Sequence, residues 1–253
     1  MDLIETSKPV DLDASLQELA DRYRRANGFG IDILNMVGGK VEGLLDRLPA
    51  SARAGLDQAT RRALEHAMKA AHESRGFVPD QKGWINTALG SAMGAVGGAG
   101  GLPTALAELP VTTTLLLRVI QGIAAEHGFD PAAENVQFDC IQVFSAAGPL
   151  EKDDGADLGF ITARVTLTGA TVQGLIARVA PRLATVLGQK LAAQTVPVLG
   201  AVSGAATNFA YTSYYQEIAH VHFGLRRLAI DADVPVEELV AQLRVRMGAG
   251  TLA

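Results

Sequence analysis

The chain has 253 residues, 48 % of them hydrophobic and 19 % charged, so it is long enough to bury a substantial core and too apolar to be disordered. Its net charge is −5 with Lys and Arg scattered, which excludes the basic footprint that nucleic-acid binding needs. A single cysteine, Cys140, excludes an intrachain disulfide framework and any CxxC metal or redox pair, as a reducing compartment would suit.

Aromatic residues make up only 5 %, and Ala, Leu and Val dominate the apolar content, which favours close helix packing over a sheet core. An all-α fold is therefore expected. The N-terminal stretch MDLIETSKPVDLDASLQELADRYRR carries acidic residues where a signal peptide has a basic flank and an apolar run. The expected location is the cytoplasm, with a peripheral position on the inner face of the cell membrane weighed below.

From Asp13 to Ala26, Leu16, Leu19, Ala20 and Tyr23 fall on one helical face, and Ser15 and Glu18 are spaced as a capping box. A second helix is predicted in GIDILNMVGGKVEGLLDRLP, ended by Pro49, and a third in SARAGLDQATRRALEHAMKAAHESRG, closed by Gly76. Residues 83–107 then contain no charged side chain. Gly100, Gly101 and Pro103 interrupt this run, leaving a helical part of about 17 residues, at the lower edge of what crosses a bilayer.

Next comes ELPVTTTLLLRVIQGIAAEHGFD, with Pro110 in the first turn of the predicted helix and Gly128 as its stop. Asp130 and Pro131 read as N-cap and first helical position of PAAENVQFDCIQVFSAAG. Residues 149–157, PLEKDDGAD, form a polar loop. After it, FITARVTLTGATVQGLIARVAPRLATVLGQKLAAQ is read as helical with a break or kink near Pro181, although the β-branched residues from Val165 to Val172 weaken a helix. Residues 191–216 are again uncharged, with a helix starting at Pro197, and PVEELVAQLRVRM is entered at Pro235. The organisation expected is residues 1–80 as amphipathic helices on a core of residues 81–230, with residues 231–253 as a last helix and tail, all in one folding unit. Eight to nine helices are expected, two of them central and rich in Gly and Ala.

GAVGGAG at residues 94–100 and GAVSGAA at residues 200–206 are near copies. Gly90, Gly94 and Gly98 recur every four residues, as do Gly200 and Gly204, so each series lines a helix face that another backbone can approach closely. Each interior Gly costs about 0.5–1 kcal/mol against Ala, which tertiary packing or an apolar environment must offset. Two readings stand: helices buried inside a bundle, or a segment lying in the lipid interface. Phe209, Tyr211, Tyr214 and Tyr215 cluster where the second uncharged run meets Glu217, as an interfacial aromatic belt would or as ordinary packing would.

GGAGGLPTALAELPVTTTLLLRVIQGIAAEHGFDPAAENVQFDCIQVFSAAGP, together with VPVLGAVSGAATNFAYTSYYQEIAHVHFGLRRLA, resembles the EcsC family of bacterial proteins over roughly Trp84 to Ala229. The resemblance implies no assigned reaction, catalytic residue or cofactor. The family is named from a gene beside an ABC transporter operon, and the partner expected for this chain is membrane lipid or a membrane protein such as a transporter. The spacing of Pro197, Gly200 and Asn208 also resembles membrane-associated helical domains appended to some bacterial GTPases, although this chain carries no GTPase motif.

Among chemical signatures, GxxxxGK[ST] and GxSxG are both absent, and GAVGGAGG does not follow a predicted strand, so neither a phosphate loop nor a nucleophile elbow is indicated. Glu217 and His220 make one ExxH pair, half of what a carboxylate-bridged di-metal bundle uses. They are weak metal candidates; His222 points to another face, and His66, His72 and His127 have no helpful partners in sequence. Glu108 and Arg118 bracket LPVTTTLLL and are expected either to pair with each other or to leave Arg118 holding an anionic headgroup or carboxylate. Asn208 is expected to bridge helices or polarise a ligand. The candidate ligand-binding set is Glu108, Arg118, Asn208, Tyr214 and Glu217, with no catalytic residue and no cofactor. The function expected is a non-enzymatic, membrane-associated accessory protein, and the alternative is a soluble carrier or enzyme with an interior pocket for an apolar or anionic small molecule.

Overall fold

The computed structural model describes residues 11–36, 44–74, 83–99, 101–144, 146, 172–194 and 200–247. The described residues form eight α-helices and one 3-10 turn, with no strand among them. The helices are α1 (Leu12–Met36), α2 (Ala50–Ser74), α3 (Gly83–Ala99), α4 (Gly101–Glu126), α5 (Glu134–Val143), α6 (Val172–Gln194), α7 (Gly200–Ala232) and α8 (Val236–Arg246), and the 3-10 turn is Leu44–Arg47. The polar stretch at residues 149–157 and the β-branched stretch before Val172 lie outside the described residues, as do the predicted stops and starts at Gly76 and Pro197.

Several expectations about helix ends are corrected. The first predicted helix runs on into the start of the second, since α1 extends from Leu12 through Gly28 and Gly30 to Met36; residues 37–43 of the second lie outside the described residues, and Leu44–Arg47 is a 3-10 turn. Its cap is Asp11, whose carboxylate accepts from the Ala14 amide at 3.0 Å, and Ser15 already lies within the helix. Pro110 is interior to α4, not in its first turn, since the helix begins at Gly101 and Pro103 occupies the place where a missing N–H costs nothing. Beyond Pro110, Thr113 and Thr114 each donate a hydroxyl to the carbonyl four residues back, Leu109 and Pro110 respectively. Asp130 does not cap α5: its carboxylate accepts from the Ala132 amide at 2.9 Å and closes a local turn, while the helix starts at Glu134.

Other ends match. Gly128 has φ of +79°, and the amides of Gly128 and Phe129 reach the carbonyls of Ala125 and Ala124, the paired bonds of a glycine-terminated helix. Asp233, with φ of 53°, ends α7 similarly, Val234 bonding back to Ala229. α3 spans 17 residues, as its glycine and proline boundaries predicted.

The 33-residue α7 is the axis of the bundle. α3 makes the most extensive helix contact in the described structure and makes it with α7, while α1, α4, α5, α6 and α8 also touch α7. α3 runs antiparallel to α7: Thr87 lies at Gln216, and a Cβ added to Gly90 would stand 2.6 Å from the Thr212 hydroxyl. Continued along the helices, this register sets residues 94–99 beside residues 203–208, so the two Gly/Ala-rich segments pack mainly on each other. α4 lies parallel to α7, with Glu108 at Asn208 and His127 at His220. One core joins side chains from Leu16 on α1 to Leu243 on α8.

Of the two readings of the tyrosine cluster, the structure shows ordinary packing rather than an interfacial belt. Tyr211, Tyr214 and Tyr215 are fully buried, and the Tyr211 hydroxyl donates to the Val186 carbonyl of α6 at 2.9 Å. Tyr215 stands edge-on to Phe144 and Tyr214, as quadrupolar rings prefer. These hydroxyls face protein rather than an interface because α7 is surrounded on several sides.

Candidate functional site

α6 presents Leu183, Leu187, Lys190 and Leu191 at the spacing of one buried helical face, so a lysine occupies a core position. Its side chain is fully buried. Nζ donates to Glu108 Oε1 of α4 at 3.2 Å and to Thr112 Oγ1, one turn further along α4, at 3.3 Å. Thr112 Oγ1 donates in turn to Glu108 Oε1 at 2.6 Å. From α7, Asn208 Nδ2 donates to the same Oε1 at 2.7 Å and to the Gly90 carbonyl of α3 at 2.8 Å. Three helices thus meet at one carboxylate oxygen, and Asn208 ties a fourth, α3, to them.

The Asn208 amide orientation follows from this geometry, because both of its short partners are acceptors and only its NH₂ can satisfy them. Glu108 Oε2 and Asn208 Oδ1 are buried and have no hydrogen-bond partner among the described residues. Burial pushes the Lys190 amine below its ordinary value, and the Glu108 carboxylate opposes that shift by charge and by hydrogen bond. An ion pair out of water is costly unless well bonded, and here the bonding is concentrated on one oxygen and absent from the other.

The structure brings together two of the five sequence candidates, Glu108 and Asn208. Asn208 bridges helices as expected. Glu108 does not pair with Arg118: the two are ten residues apart on one continuous helix, about 15 Å along its axis. Tyr214 packs against Tyr215 one and a half turns beyond Asn208. Glu217 faces α1, where it pairs with Arg22 at 3.2 Å and Arg25 at 3.4 Å. Lys190 and Thr112 are the functional side chains that sequence reasoning missed. The signal for Lys190 was present, since it is the sole charge between Arg182 and Glu217 and it sits in register with three leucines.

The ExxH pair does not assemble a metal site. Glu217 is held by arginines, whereas His220 turns toward His127, with ring nitrogens 3.2 Å apart. His127, without a partner in sequence, gains one across the α4 and α7 contact. Burial first, then Arg22, His127 and Arg25, lower His220 to about 3, and burial with Arg22 lowers His127. Among the described residues no group of three or more His, Cys, Asp and Glu side chains could hold a metal ion. His222 occupies another face, buried 3.5 Å from Asp139, which Arg226 also engages, and burial lowers it to about 4.

These features define an all-α bundle built around a buried, hydrogen-bonded ion pair, with no catalytic constellation of recognised type among its described residues. A family model for the EcsC protein family matches residues 55–228, and the chain belongs to that family. The match opens within α2, about thirty residues before the motifs that carry the resemblance. No curated protein matches the chain, and no solved structure does.

Proposed function

We propose that the protein is a non-enzymatic, membrane-associated accessory protein whose uncharged end rests on a lipid surface. One observation carries this reading. Residues 83–107 and 191–216 hold no charged side chain, and the charges that bound them, Glu108 and Lys190, are paired with each other in the interior at 3.2 Å. Glu217, the far boundary of the second run, is likewise engaged by Arg22 and Arg25.

The antiparallel register gathers the C-terminal ends of α3 and α6 with the N-terminal ends of α4 and α7. Leu89 in the first half of α3, Val111 on α4 just past Glu108 and Val202 at the N-terminal end of α7 are exposed, at 48 %, 55 % and 60 %. Exposed apolar side chains on or beside uncharged stretches can enter the headgroup boundary without desolvating a charge. No described helix is long and apolar enough to cross a membrane, which favours lying at the surface over spanning it.

Flotation of the purified protein with phosphatidylglycerol/phosphatidylethanolamine vesicles tests the reading. The wild type is expected to float, and Leu89→Glu with Val202→Glu is expected to stay at the bottom while retaining wild-type helicity. A wild type that remains with the soluble fraction at low and moderate salt refutes membrane contact.

A further inference from the structure

We propose that the buried Glu108, Lys190, Thr112 and Asn208 cluster is a binding site for an uncharged vicinal diol carried on an apolar tail, the chemistry of a glycerol headgroup with free hydroxyls. The inference stands on the two open acceptors and does not depend on membrane contact. Among the described residues Glu108 Oε2 and Asn208 Oδ1 are both buried and lack donors, although the groups that carry them are joined by the 2.7 Å bond between Asn208 Nδ2 and Glu108 Oε1. A buried acceptor left without a donor is costly, so two on adjoining groups ask for a partner with two donors. An ammonium has three N–H donors, and two of those on Lys190 go to Glu108 and Thr112. The third is available to a ligand oxygen.

Charge selects against ionised ligands. Lys190 stands 3.2 Å from Glu108, so the cluster is internally neutral. A cation brought to the open carboxylate oxygen meets the ammonium beside it, and an anion brought to the ammonium meets the carboxylate. A carboxylic acid or an amine, ionised at neutral pH, therefore pays a desolvation cost that the site does not return. A hydroxyl donates to an acceptor and accepts from the lysine without carrying charge. Two neighbouring hydroxyls supply one donor to each open oxygen, which a single hydroxyl cannot. The tail is inferred from the flanks, since residues 83–107 and 191–216 offer no charged side chain to a polar extension.

The test is a headgroup series on one chain length: 1,2-dodecanediol, 1-dodecanol, laurate and dodecylammonium, each titrated below its critical micelle concentration and read by tryptophan fluorescence and thermal shift. The diol is expected to bind about tenfold tighter than the alcohol, and the alcohol tighter than either ion, because each unpaired buried acceptor discriminates strongly. Asn208→Leu is expected to remove the preference of diol over alcohol. Glu108→Gln with Lys190→Met is expected to weaken the discrimination against the two ions. Equal binding of all four probes, tighter binding of an ion, no binding at all, or a diol preference that survives Asn208→Leu overturns the proposal. The wild-type series decides the matter even if a variant fails to fold.

Discussion

Replacing Lys190 by methionine keeps most of the side-chain volume and removes the charge. The variant leaves the Glu108 carboxylate buried, with Thr112 and Asn208 still donating to Oε1 but with no cation within reach in the observed cluster. Breaking a buried pair in this way costs about 3–5 kcal/mol, because one charge stays out of water without compensation. Glu108→Gln, which leaves the ammonium unpaired, is expected to cost about the same. The double variant has neither charge, and the amide oxygen that replaces the Glu108 carboxylate still accepts from Asn208 and Thr112, so its stability is expected within about 1–2 kcal/mol of wild type. The double-mutant cycle then yields a coupling energy of several kcal/mol. Urea denaturation followed by far-ultraviolet circular dichroism measures all four proteins. A loss below about 1 kcal/mol for Lys190→Met, or a double variant as unstable as the sum of the singles, would refute the reasoning that the pair is desolvated and mutually dependent.

Three further outcomes are expected. Gly90→Ala places a methyl 2.6 Å from the Thr212 hydroxyl and is expected to destabilise by about 1–3 kcal/mol, with Thr212→Ala recovering part of the loss in thermal melts. Gly90→Cys with Thr212→Cys is expected to oxidise readily, because the two Cβ positions lie 3.6 Å apart, and in the chain-entropy model a bridge closing so long a loop adds about 4–5 kcal/mol; a doublet that stays reduced under oxidising conditions contradicts the observed register. His222, lowered by burial to about 4, holds its neutral form in the fold while the unfolded chain protonates near 6.5, so stability is full above that value and falls as pH drops toward 4. From pH 7.5 to 5 His222 accounts for about 2 kcal/mol of the loss, His220, lowered to about 3, adds a loss of the same sign, and His222→Gln is expected to make that part of a stability-against-pH curve shallower without levelling it.

Helix class and most of the helix count were legible because the apolar periodicities of α1, α2 and α8 are strong and their composition is helix-forming. Helix joints were not. Residues 27–29 separated two predicted helices, yet α1 runs through them despite a propensity cost of about 1 kcal/mol per glycine. Pro110 read as a start, but α4 begins nine residues earlier at Gly101 and carries the proline in its interior. The site was half visible. Glu108 and Asn208 stood out as polar groups in apolar stretches, whereas Lys190 passed unremarked although it shares a helical register with Leu183, Leu187 and Leu191. Pairing between residues 82 positions apart has no local sequence signal, so the partner of Glu108 was misassigned to the nearest cation, Arg118.

The cluster also answers a problem that the two small-residue segments create. A helix face repeating Gly or Ala every four residues matches a similar face equally well after a slip of one turn, because small residues would again meet small residues. Packing of that kind favours closeness and says little about register. Asn208 and Gly90 remove the ambiguity: a slip of one turn, about 5.4 Å, breaks the bond to the Gly90 carbonyl and moves Gly90 away from Thr212. A comparable slip of α6 against α4 separates Lys190 from Glu108 and leaves two buried charges unpaired, at a cost of several kcal/mol each. The polar contacts therefore specify the register that the bare faces leave open, and they do so at the one level of the bundle where α3, α4, α6 and α7 all meet.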